Sequence, residues 1–172
     1  MFFEFKPWQL EVDVEGTKLF YEETDYSKDK AVNREFMESL TEEQKYFFDS
    51  LGVDISKIEI DKALYDIPEE GELPSLKMKS TTVNFLLKGK FLALPQYQKE
   101  LYSDEEVFGK EFPDNIKILS SDEKDYIETF DNGIGAGVVF KHPCFHYDNE
   151  IFKVWDCGYI LGIILIMQDF KS

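Results

Sequence analysis

The sequence predicts an α+β domain, a mainly antiparallel sheet packed against two or three helices, and three observations carry that expectation. Trp8, Leu10, Val12 and Val14 alternate with polar side chains, and Val83, Phe85 and Leu87 recur at the same two-residue spacing, the period of a strand with one buried face. Between these stretches Val32, Phe36 and Leu40 recur every four residues, which is a helical spacing. Residues 159–167 carry no charge and are rich in isoleucine, as a central strand covered on both faces should be. A chain of 172 residues has the size of one domain, and a 43% hydrophobic content supplies enough apolar side chains for a single core.

The elements follow in order. Trp8 to Val14 reads as the first strand of a hairpin, turning at Glu15-Gly16 into a second strand at Leu19, Phe20 and Tyr21. From Asp29 a helix runs to Leu40. Thr41-Glu42-Glu43-Gln44 then has the pattern of a capping box, in which the threonine oxygen and the glutamine side chain satisfy each other's backbone amides. Phe47, Phe48 and Leu51 form the apolar side of this next helix, and Gly52 stands where a left-handed residue would close it. Residues 66–74, DIPEEGELP, read as an exposed connection, followed by strands at Val83–Leu87 and, beyond Gly89, at Phe91–Leu94. A brief helix is expected over residues 97–102, an acidic connection over 103–115, a strand at Ile116–Leu119, and a short helix capped by Ser121. The glycines at 133, 135 and 137 lack the spacing of a dinucleotide loop and precede Val-Val-Phe, so they read as a turn or tight strand start.

Charge narrows the function. Thirty-five acids face 19 bases for a net −16, a field that repels nucleic-acid phosphates and attracts basic proteins. Arg34 is the single arginine, which removes any arginine cluster for two-pronged phosphate recognition. The N-terminus lacks the pattern of an export signal, the strongest apolar run is too short for a membrane-spanning helix, and two cysteines do not make a disulfide scaffold. The expected location is therefore cytoplasmic with reduced thiols, and neither nucleic acid nor membrane is an expected partner.

The leading functional expectation is a binding or inhibitory protein that sequesters a basic protein, such as a nuclease or another toxic enzyme. Its partner-binding residues would be the loop acids Asp66, Glu69, Glu70 and Glu72 together with Asp104, Glu105 and Glu106. The alternative is chemical. Residues 142–147 and 150–156 read as a hairpin in which Phe145 faces Phe152, Cys144 faces Lys153 and His142 faces Trp155. On that register Lys153 would favour a Cys144 thiolate and His146 would relay its proton, making Cys144 and His146 the catalytic candidates. His142, Cys144 and His146 are also the candidate ligands for zinc, the one cofactor these residue types suggest; otherwise no cofactor is expected. A structural or assembly role through an open sheet edge is the third reading.

Overall fold

The computed structural model describes residues 1–5, 8–67, 76–96, 98, 116–119, 137–154 and 156–169. Strands β1 (Phe2–Phe5) and β2 (Trp8–Val12) form an antiparallel hairpin, followed by three helices, α1 (Val14–Glu23), α2 (Lys30–Ser39) and α3 (Glu42–Leu51). After a 3-10 turn at Ile55–Lys57 come β3 (Glu59–Ile67), β4 (Leu76–Pro95), β5 (Lys117–Leu119), β6 (Gly137–Lys141) and β7 (Tyr159–Asp169). Among the described residues the product is the expected α+β domain, a seven-stranded sheet packed against three helices and antiparallel except where β4 meets β5. Among the described residues no helix is long and apolar enough to cross a membrane.

Strand β4 is the spine of the sheet. Its first half pairs with β3 through Asn84 and its second half with β2 from Gly89, while β7 runs beside Met78 to Lys88 and β5 beside Ala93 to Pro95. The two strands expected on either side of Gly89 are thus one continuous strand that changes partners. On one face Val83, Phe85 and Leu87 of β4 and Ile160 and Ile164 of β7 meet Phe36, Phe47, Phe48 and Leu51 of the helices. On the other, Leu86 and Leu161 pack with Phe152 from the segment before β7. Both faces of β7 are therefore covered over Ile160 to Ile164, as its two-sided apolar run predicts.

Helix α1 replaces the second hairpin strand expected at residues 19–21. Asp13 caps it, its side chain accepting the Gly16 N–H at 2.8 Å, and the residues it buries are Thr17 and Tyr21, one helical turn apart. The spacing has a purpose. Between the end of β3 pairing at Asn84 and the start of β2 pairing at Gly89, one edge of β4 has no strand beside it among the described residues. The Tyr21 hydroxyl fills that gap, donating to Leu86 O (2.8 Å) and accepting from Leu86 N–H (2.9 Å). Thr17 Oγ1 accepts from Lys88 N–H (3.0 Å), and Asp13 N–H donates to Lys88 O (2.8 Å). A helix thereby satisfies a strand edge with side chains, which disposes of buried backbone groups that would otherwise be costly.

The remaining helix boundaries follow the sequence expectation. Thr41 accepts from Gln44 N–H (3.2 Å) and Thr41 N–H donates to Gln44 Oε1 (2.9 Å), completing the capping box. Gly52 closes α3 at φ 83°, where a Cβ would meet Val14 O at 2.5 Å. Trp8, wholly buried, donates through Nε1 to Gln98 Oε1 (2.9 Å), and Gln98 Nε2 donates to Phe140 O (2.8 Å), tying β2 to β6. The helix expected from Ser121 lies outside the described residues, as do Gly133 to Ala136, whereas Gly137 opens β6 as the strand-start reading requires.

Candidate functional site

Two regions compete as the functional site, and the first is the His-Cys segment. Its expected hairpin does not form. Pro143 opens a 3-10 turn, Pro143–Phe145, a second turn covers Glu150–Phe152, and the segment crosses the sheet as a cover for Leu86 and Leu161. Proline explains the difference: its missing N–H and fixed φ end β6 and suit the first position of a turn, and the His142 ring caps that turn. His142 is 1% exposed; its Nδ1 accepts from Cys144 N–H (3.2 Å) and its Nε2 lies 2.9 Å from Val154 O. A carbonyl can only accept, so Nε2 carries the proton and the ring is neutral.

The catalytic and metal candidates diverge from there. His146 turns to β3, with Nε2 2.7 Å from Glu59 Oε1, which also accepts from Asn84 Nδ2 at 3.0 Å. Cys157 Sγ lies 3.6 Å from His142 Nε2. Burial, with the nearby Cys157 thiol adding to it, pushes the Cys144 thiol up to about 11, the opposite of what a nucleophile needs at neutral pH. Lys153 does not offset this, because its ammonium sits 2.9 Å from Glu150 Oε1 and 3.9 Å from Asp148 Oδ1. Among the described residues no group of three His, Cys, Asp or Glu side chains is arranged to hold a metal ion. The segment works as a buried polar pin beneath a cover.

The second region is acidic and helical. Residues 13–54, which contain α1, α2 and α3, hold 12 acids and 5 bases, a balance of −7 in about a quarter of the chain. Four of those bases already sit against carboxylates: Lys18 with Glu15, Lys28 with Asp61, Lys30 with Asp25 and Lys45 with Glu42. Between α1 and α3 lies an open groove of about 750 Å³, within the size range of ligand sites. Its α3 wall is Glu42, Lys45, Tyr46 and Asp49, spaced i, i+3, i+4 and i+7 along one helical face. Glu22 stands on the α1 wall, and Tyr21, Val53 and Ile55 contribute its buried apolar lining.

Apolar periodicity in the sequence points to the buried stripe of α3, Phe47, Phe48 and Leu51, and so does not reveal this wall. The complementary stripe was equally periodic, and Tyr46, 70% exposed, was its one large aromatic residue. Of the expected docking acids, Asp66 falls in β3 at the register position of Lys77. Glu69, Glu70, Glu72, Asp104, Glu105 and Glu106 lie outside the described residues. Comparison of the chain with protein-family models, curated proteins and solved structures gives no significant match.

Proposed function

We propose that this protein binds, and by occupying its surface inhibits, a basic protein such as a nuclease or another toxic enzyme. The observation that carries the reading is the concentration of negative charge on the helical layer, −7 over residues 13–54, around a groove that offers apolar surface. Such a field steers a positive partner during encounter, and the apolar and aromatic groups then exclude water from the contact.

Ionic strength tests the reading. Affinity capture on the intact protein, followed by reconstitution with the purified captured partner, should yield a one-to-one complex with a basic protein. Its association rate should fall steeply as the Debye length contracts from roughly 30 Å at about 0.01 M salt to roughly 8 Å at about 0.15 M. A partner that is acidic, or association indifferent to salt, would overturn the proposal.

A further inference from the structure

We propose that Cys144 and Cys157 form a reversible redox pair, which a peroxide oxidises to a disulfide that clamps the segment between them across the sheet. The pair lies outside the acidic helical layer, on the cover over Leu86 and Leu161. Both residues are free thiols, and both pack against the same apolar cluster of Leu86, Phe152 and Leu161. A single imidazole ring bridges them. His142 Nδ1 accepts from the Cys144 N–H at 3.2 Å, and Cys157 Sγ lies 3.6 Å from Nε2 of that same ring.

Their places in the chain decide what a bond between them does. Cys144 sits in the 3-10 turn that opens the cover, and Cys157 stands just before β7, where the cover rejoins the sheet. A disulfide would close a loop of about 14 residues, and that loop carries Phe152, the buried anchor of the cover. Gly158 follows Cys157 at φ 88°, and a Cβ there would meet nothing within 4 Å among the described residues, so the backbone has room to adjust beside the second sulfur. A rotamer change at Cys144 and a small shift at this glycine are the movements that bonding at about 2.05 Å requires.

The hydrogen bonds set the order of events. Cys157 donates its S–H to Tyr159 O at 3.7 Å and accepts from the His142 Nε2–H, so its thiolate keeps a donor. That thiolate attacks a peroxide oxygen: an S–O bond forms, the O–O bond breaks, and the departing hydroxide takes up the thiol's proton as water. The Cys144 thiolate then attacks the sulfenic sulfur, forming the S–S bond and breaking S–O, and a second water leaves with the Cys144 proton. The two thiols lose two electrons and two protons, and the peroxide is reduced to two waters. Burial raises both thiols above their ordinary range, Cys144 to about 11, so the reduced form persists at neutral pH until peroxide accumulates.

The test treats the full-length protein with hydrogen peroxide, blocks the remaining thiols, unfolds the chain and digests it with trypsin. Lys153 lies between the cysteines, so cleavage there puts Cys144 in residues 142–153 and Cys157 in residues 154–171. The oxidised protein should yield these two peptides joined through sulfur, with loss of two hydrogens, and dithiothreitol should separate them. Linkage should form about tenfold faster per pH unit between about pH 7 and pH 9. The linked protein should melt roughly 3–10 °C higher than the reduced one, and its amides over residues 144–157 should exchange about tenfold more slowly. Cys144→Ser and Cys157→Ser should each abolish the linked peptide and the gain in melting temperature. Peptides that stay unlinked, that carry only sulfinic or sulfonic acid, or that join two protein chains would overturn the inference, as would a linked protein that melts no higher than the reduced one.

Discussion

Replacing Tyr21 with phenylalanine removes one oxygen from the interior and two hydrogen bonds from a strand edge. The hydroxyl serves both Leu86 N–H and Leu86 O, Tyr21 is 2% exposed and Leu86 1%, so water has little access to either orphaned group. A neutral hydrogen bond contributes about 1 kcal/mol net, and a buried group left without a partner costs about 1–3 kcal/mol. Two such groups put the loss at roughly 2–4 kcal/mol, with almost no cavity term because the ring stays. With a urea slope of about 2 kcal/mol per molar, the unfolding midpoint should drop by roughly 1–2 M at unchanged slope. Hydrogen exchange at the Leu86 amide should accelerate in the same variant. Thr17→Val, which strips a single acceptor from the part-exposed Lys88 amide, should lose about 1 kcal/mol. A Tyr21→Phe midpoint within about 0.25 M of the parent would refute the idea that α1 completes the edge of β4.

Other outcomes are equally definite. Gln98→Leu orphans Trp8 Nε1 and Phe140 O together and should cost about 1–3 kcal/mol in urea unfolding; an unchanged midpoint would exclude the buried relay. Gly162→Ala drives a Cβ into Phe85 Cζ, whose ring is fixed by Phe48 and Phe140, so overpacking of about 1–3 kcal/mol should lower the melting temperature by roughly 2–10 °C. Alkylation of Cys144 at neutral pH should run about a hundredfold slower than that of a free thiol and climb toward pH 11; labelling as fast as a model thiol would contradict its burial. Tyr21 is raised well above its ordinary value by burial, so its neutral form is favoured in the folded state. Stability from this group is complete below about pH 10 and declines as pH rises beyond that; a phenolate absorbance titration should show Tyr21 ionising only with unfolding.

Much of this fold is legible in residue spacing, and the failures have physical reasons. The α2 and α3 boundaries were readable because caps are local chemistry: Thr41, Gln44 and Gly52 need only their own helix. The last strand was readable because a run apolar on both faces has few other places to go. Helix α1 was not, since contiguous Leu19, Phe20 and Tyr21 imitate a strand, while its buried pair Thr17 and Tyr21 includes a polar residue whose partner lies 71 positions away. The single β4 was obscured by Gly89, where the strand changes partners without ending. At residues 142–156 the alternation of apolar residues imitates a hairpin, whereas Pro143 begins a turn. The groove was hidden for another reason, because it arises where two helices meet and no single periodicity announces it.

Four different strands depend on β4, and the longest of those alliances, with β7, joins Met78 to Asp169 and Lys88 to Tyr159. During synthesis, then, one side of the spine must wait bare until the ribosome has passed residue 169. A nascent chain in that interval displays an apolar ribbon able to recruit a neighbour's strand, so its cell has reason to shield it with a holdase or to translate it swiftly.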